Sequence, residues 1–121
     1  MKNPRPIPDQ FLGLMATKFA MLGDETRLSI LRSLMGGEKN VGHIVELTGK
    51  TQANVSKHLK LMAGAGLVDR RKDGLQVYYR IADPLVEKLC HLVCETIFAE
   101  LGEQAEMHKD LARKRPAAKR K

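Results

Sequence analysis

Two groups of side chains in this 121-residue chain can do chemistry. The first is Gln52, Asn54, Ser56, Lys57, His58 and Lys60, followed by Arg70, Arg71, Lys72 and Gln76. Gln and Asn each pair a donor with an acceptor and match the major-groove edge of adenine, whereas Ser, Lys and Arg reach either phosphates or bases. The partner such a set suits is double-stranded DNA. The second group is Cys90 and Cys94, the only thiols in the chain, with His91 between them. Residues four apart share one helix face, and there the two thiols have three readings. They fill a core as small hydrophobes, they react with oxidants or sulfane sulfur, or they bind a soft metal. Their Cα atoms would lie about 6 Å apart with nearly parallel side chains, so a direct disulfide distorts the helix and a bridge across a dimer has more freedom. Metal binding by Cys90 and Cys94, with His91 or Glu95, is half a tetrahedral site and needs a ligand from a second subunit.

The first group can act only if a helix presents it. Val55, Leu59 and Met62 recur at helical spacing over about Gln52 to Ala63 and mark the inner face, leaving Gln52, Ala53, Asn54, Ser56, Lys57 and Lys60 outward. His58 falls on the flank, with a phosphate contact and a packing role both open. A shorter helix over Val41 to Leu47 precedes it, across the Thr48-Gly49-Lys50 break with Thr51 as cap. Two short helices joined this way form a helix-turn-helix. After Gly64-Ala65-Gly66 the period changes to two. Leu67 to Arg71 and Gln76 to Ile81 read as strands around a Lys72-Asp73-Gly74 turn, a hairpin in the place of a wing.

Upstream, Leu12, Met15, Phe19 and Leu22 form the stripe of a first helix from Asp9, widened by Phe11, Ala16 and Ala20 and ended by Gly23. Asp24 caps a second helix that buries Leu28, Ile30, Leu31 and Leu34. Asp83-Pro84 opens a last helix running to about Met107. The expected fold is therefore mainly α with a small β-hairpin: four helices, two strands and a fifth helix in a winged helix-turn-helix. Residues 1–8 are expected as a flexible arm, 9–108 as the domain and 109–121 as a disordered basic tail.

Charge is segregated. Residues 1–82 carry a balance of +6, residues 83–112 one of −5 and the last nine residues +6, within a net +7. That pattern fits a polyanion-facing surface. Prolines 4, 6 and 8 stand where a signal peptide would have its apolar core, and no run is long enough to span a membrane, so a cytoplasmic protein with reduced thiols is expected. No phosphate-binding glycine loop, paired carboxylates or Ser/His/Asp set can be placed, so neither an enzyme nor a cofactor is expected. A winged helix used for protein contact would carry apolar residues where Gln52, Asn54, Ser56 and Lys57 stand.

Three segments, in order, carry a family resemblance. Leu22 to Leu31 (LGDETRLSIL) resembles the second-helix motif of the ArsR/SmtB family of bacterial repressors. Gln52 to Met62 (QANVSKHLKLM) with Ala65 to Val68 resembles its recognition helix and first wing strand, and Tyr78 to Ile81 its second wing strand. The likeness covers about Leu12 to Leu101. It implies a homodimer held through the first and last helices, binding an imperfect palindrome and releasing it when an inducer is sensed. The family's thiol pair before the recognition helix has no counterpart in Val41 to Leu47. Its last-helix site keeps Asp83 but finds no His over Thr96 to Ala99, so neither familiar metal site is expected. Some members sense persulfides or oxidants through a last-helix Cys paired with a second-helix one. Cys94 is similarly placed, but Ile30 to Met35 holds no Cys, which leaves Cys90 as its candidate partner.

Overall fold

The first helix, α1 (Asp9–Leu22), ends at Gly23, and one residue later the Asp24 carboxylate accepts from the Arg27 backbone N–H to start α2 (Glu25–Leu34). A computed structural model describes residues 5–112 of the chain, so the arm and tail expected at the two ends lie largely outside it. After α2 come a two-residue strand β1 (Lys39–Asn40), α3 (Val41–Thr48) and α4 (Gln52–Gly64). The antiparallel pair β2 (Val68–Asp73) and β3 (Gln76–Ile81) follows, then α5 (Leu85–Ala112). The chain divides into a unit ending at Val86 and a second one beginning at Glu87, which holds the rest of α5. No helix among the described residues is long and apolar enough to cross a membrane.

Aliphatic burial holds the first unit together. Ile30 and Leu31 of α2, Ile44 of α3, and Val55, Leu59 and Met62 of α4 are fully buried, joined by Leu67, Val68, Tyr79 and Val86. Each such side chain contributes roughly 1.5–3 kcal/mol by leaving water. The inner face expected for α4 is therefore the observed one. The stripes of the neighbouring helices are less covered than expected. Leu28 of α2 is exposed, and on α1 only Leu22 is buried, with Phe11, Leu12 and Phe19 each about half exposed. Periodicity locates an apolar face but not what covers it, and within this unit nothing covers most of α1's.

The sheet has three strands rather than the two expected, in the order β1-β3-β2. Lys39 pairs with Tyr79 and Asn40 with Tyr78, a contact too short to leave a period in the sequence. Asn40 serves twice, since its side-chain oxygen also accepts from the His43 N–H at 2.8 Å and caps α3. The hairpin turn falls one residue later than expected. Asp73 pairs with Gln76, leaving Gly74-Leu75 as a two-residue loop. Gly74 has φ of 64° while Leu75 has a negative φ, which fits a type II′ turn and needs Gly in its first position. At the base of α5, Asp83 accepts from the Leu85 N–H at 3.0 Å and pairs with Lys18 of α1 at 2.7 Å.

The Lys18 ammonium and, next, the Leu85 N–H hold the Asp83 carboxyl below the usual carboxylate range. A depressed folded-state value stabilises the fold above the unfolded pKa and is lost as pH falls through the folded one. Asp83→Asn should accordingly lower the melting temperature at pH 7, with the difference from wild type shrinking steadily below about pH 4. A deficit that stays constant down to pH 2 would overturn this assignment.

Candidate nucleic-acid interface

The turn between α3 and α4 sets the angle at which α4 leaves the core. Gly49 closes α3 in the left-handed region at φ 69°, its N–H donating to the Val45 carbonyl at 2.9 Å. A side chain there would be strained, which is why Gly occupies the break. Thr48 folds its hydroxyl back onto the Ile44 carbonyl and accepts from the Lys50 N–H. Thr51 then caps α4, accepting from the Asn54 N–H at 3.1 Å.

With Val55, Leu59 and Met62 buried beneath it, α4 leaves Gln52, Ala53, Lys57 and Lys60 exposed and Asn54 and Ser56 half-buried. His58 does not join them. It is 9 % exposed, and its Nδ1 lies 3.2 Å from an Arg27 guanidinium nitrogen. Three residues on from Val55, it lies on the inner face of α4 beside Leu59.

The hairpin sorts its charges by the two-residue period of a strand. Opposed residues of an antiparallel pair share a face, so Arg70 and Lys72 lie with Tyr79 and Val77, whereas Arg71 lies with Tyr78. A groove of about 270 Å³ opens between α4 and the first of these faces, bordered by Gln52, Ser56 and Lys60 on one side and Arg70, Leu75 and Gln76 on the other. Five residues singled out in the sequence therefore meet across one groove. Asn54, Lys57 and Lys72 do not border it.

Arg71 has a different fate. Its guanidinium donates twice to Glu38, at 2.9 and 2.8 Å, approaches Asp73 at 3.6 Å and lies 4.6 Å over the Tyr78 ring. The Glu38 carboxyl is held below its usual range, first by the hydrogen bond from Arg71, and the Arg71 guanidinium is raised by the same bond. On the same face Arg80 pairs with Asp69 at 3.0 Å. This side of the wing presents charges already matched, although the long Arg70 side chain borders it too. Nothing local in the sequence joins Glu38 to Arg71, which are 33 residues apart.

On α5, Cys90 is half-buried and Cys94 exposed, both unpaired. Burial pushes the Cys90 thiol up. Among the described residues no three His, Cys, Asp or Glu side chains gather into a metal-binding group, so Cys90, His91 and Cys94 within one chain do not form one.

Comparison with known proteins gives three kinds of likeness. Residues 24–70 match the model of the family described as bacterial regulatory protein, arsR family. The HTH-type transcriptional regulator KmtR of Mycobacterium tuberculosis is 37% identical over 96 residues, covering 79% of this chain and 72% of KmtR. A probable mercury resistance operon repressor of Streptomyces lividans is 38% identical over 74 residues, 61% of this chain and 59% of that protein. Among solved structures, the homodimeric winged helix-turn-helix DNA-binding domain of a possible ArsR-family regulator from Mycobacterium bovis superposes with a TM-score of 0.71. It is 31% identical, and the match covers 85% of this chain and 95% of that domain.

Free and neutralised cations should differ in how they respond to salt. Lys60→Ala and Arg70→Ala should each weaken binding to specific and random DNA alike and flatten the log–log salt dependence by about one unit. Arg71→Ala, whose charge is matched by Glu38, should leave that slope within about 0.3 of wild type. Titrations at several salt concentrations decide, and an Arg71→Ala slope as flat as that of Arg70→Ala would sink the distinction.

Proposed function

The chain belongs to the ArsR family of bacterial regulatory proteins, as a DNA-binding transcriptional regulator and not an enzyme, and on that premise we propose that it is a homodimeric repressor of a palindromic operator, released by an inducer. The observation that carries the proposal is the groove joining Gln52, Ser56 and Lys60 of α4 to Arg70 and Gln76 of the wing. In the major groove, α4 presents Gln52, Asn54 and Ser56 to base edges from its N-terminal half, where recognition helices make most base contacts. Lys57, Lys60, Arg70 and Lys72 take phosphates. The working domain is 9–108, and it acts in the cytoplasm.

Dimerisation answers the apolar surface left open. Phe11, Leu12, Leu14 and Phe19 on α1, and Leu92, Ile97, Phe98 and Leu101 on α5, are exposed side chains that a second copy would cover. The homodimeric Mycobacterium bovis neighbour supports this reading. Phe19→Glu with Ile97→Glu should give a folded monomer by analytical ultracentrifugation, with operator affinity down at least about a hundredfold because paired half-sites are lost. A double variant that remains dimeric would refute the assigned surface.

The inducer is read by Cys90 and Cys94. Cys94 is exposed and reacts first, whereas burial raises the Cys90 thiol and disfavours its thiolate. With a polysulfide, the Cys94 thiolate takes a sulfur atom to form a persulfide and the shortened polysulfide leaves as an anion. With a peroxide, two thiols lose two protons and two electrons in forming a disulfide, and the peroxide is reduced. A soft-metal inducer is the second reading, favoured by the likeness to a mercury resistance repressor. It requires ligands beyond one chain's two thiols. Wild-type protein on promoter DNA should be released by oxidant, polysulfide, or cadmium or mercury salts, and Cys90→Ser/Cys94→Ser by none of them. Unchanged release of the double variant would remove the cysteines as sensor.

A further inference from the structure

Arg27 makes one contact set that neither the DNA-facing surface nor the thiols use. Its Nε donates to the Met21 carbonyl at 2.7 Å and one terminal nitrogen donates to the Ala20 carbonyl at 3.1 Å. Both carbonyls belong to the last turn of α1, where helical partners run out and a cation is favoured. The other terminal nitrogen lies 3.2 Å from Nδ1 of His58 on the inner face of α4. A guanidinium only donates, so in a hydrogen bond between the two Nδ1 is the acceptor. Asp24 steadies the start of the chain of contacts by accepting from the Arg27 N–H at 3.0 Å.

This side chain matters because α1 is otherwise loosely held. Leu22 is its single buried residue, and among the described residues Lys18–Asp83 is its ion pair to the rest of this unit. The direction in which α1 leaves the core therefore depends on a guanidinium whose far end is fixed by the recognition helix. We propose that Arg27 and His58 are positioning residues that set the angle between α1 and α4 and thereby the spacing of the two half-sites the protein accepts. The inference rests on the dimeric reading above, in which α1 meets the second copy. Neither residue borders the groove between α4 and the wing. Together they convert the geometry of the dimer into the separation of two recognition helices, which must match about one turn of the duplex or a multiple of it.

The test begins with a palindrome selected by the wild-type protein from random duplexes, then lengthened or shortened at its centre by one and two base pairs. Wild type should lose about tenfold or more in affinity on such a change, the scale of even one mismatched base pair. Arg27→Met keeps the apolar stem but loses all three guanidinium contacts, and His58→Leu removes the acceptor at similar volume. Both variants should bind the selected duplex about tenfold more weakly yet lose only two- to threefold on respacing, as expected when the two reading helices are no longer held at one separation. His58→Asn, which can still present an acceptor near the Nδ1 position, should restore the wild-type preference. Sharp wild-type spacing preference in both Arg27→Met and His58→Leu would overturn the proposal while leaving the repressor reading intact. A wild-type protein indifferent to spacing would overturn the dimeric reading and this proposal together. Should Arg27→Met fail to fold, the contrast between His58→Leu and His58→Asn decides alone.

Discussion

The underside of α4 constrains the rest of this molecule. Val55, Leu59 and Met62 have no exposed surface, and their burial against α2 and α3 leaves the helix a single rotation about its axis. Close-packed interiors tolerate little shift, so a rotation that released Leu59 would cost several kcal/mol. The outward residues inherit that fixity. Gln52 and Lys57 look out because Val55 and Leu59 look in, and the turn at Gly49 and the Thr51 cap exist to deliver α4 at that rotation.

Much of this was legible in the sequence because it is local or periodic. The Asp24 and Thr51 caps, the bounds of α4 and its three buried positions follow from side-chain oxygens beside helix starts and from a period of 3.6 residues. The ArsR likeness rests on the same segments, and the matched residues 24–70 run from the cap of α2 into the first wing strand. What escaped was set by distance along the chain. The two-residue β1 has no period of its own, and the pairing of Glu38 with Arg71 joins residues whose sequence neighbours give no hint of it. The His58–Arg27 contact likewise spans 31 residues, which is why a flank position on a helical wheel left two readings open. The turn at Gly74-Leu75 was displaced for a subtler reason: the Asp-Gly pair signals a turn, but only the strand register decides which of the two residues enters the loop.

The wing shows how a basic cluster in sequence need not be a basic cluster in space. Arg70, Arg71 and Lys72 are consecutive, yet the pleat sends the middle one to a face where Glu38, Asp69 and Asp73 also lie. One side of the hairpin is left with unpaired positive charge beside α4, and on the other three carboxylates face two guanidiniums. Polyanion attraction is thereby given a direction, which net charge alone does not provide.

The same strand has a bearing on solubility. In the order β1-β3-β2, β3 is central and β2 is left as an edge, with unpaired backbone groups available to another chain. Its sequence from Asp69 to Asp73 is charged at every position. An edge so charged resists pairing with a copy of itself, since stacking two of them brings like charges together wherever the register aligns. Side chains that give the wing its positive face thus also keep two copies of the protein from joining wing to wing into a growing sheet.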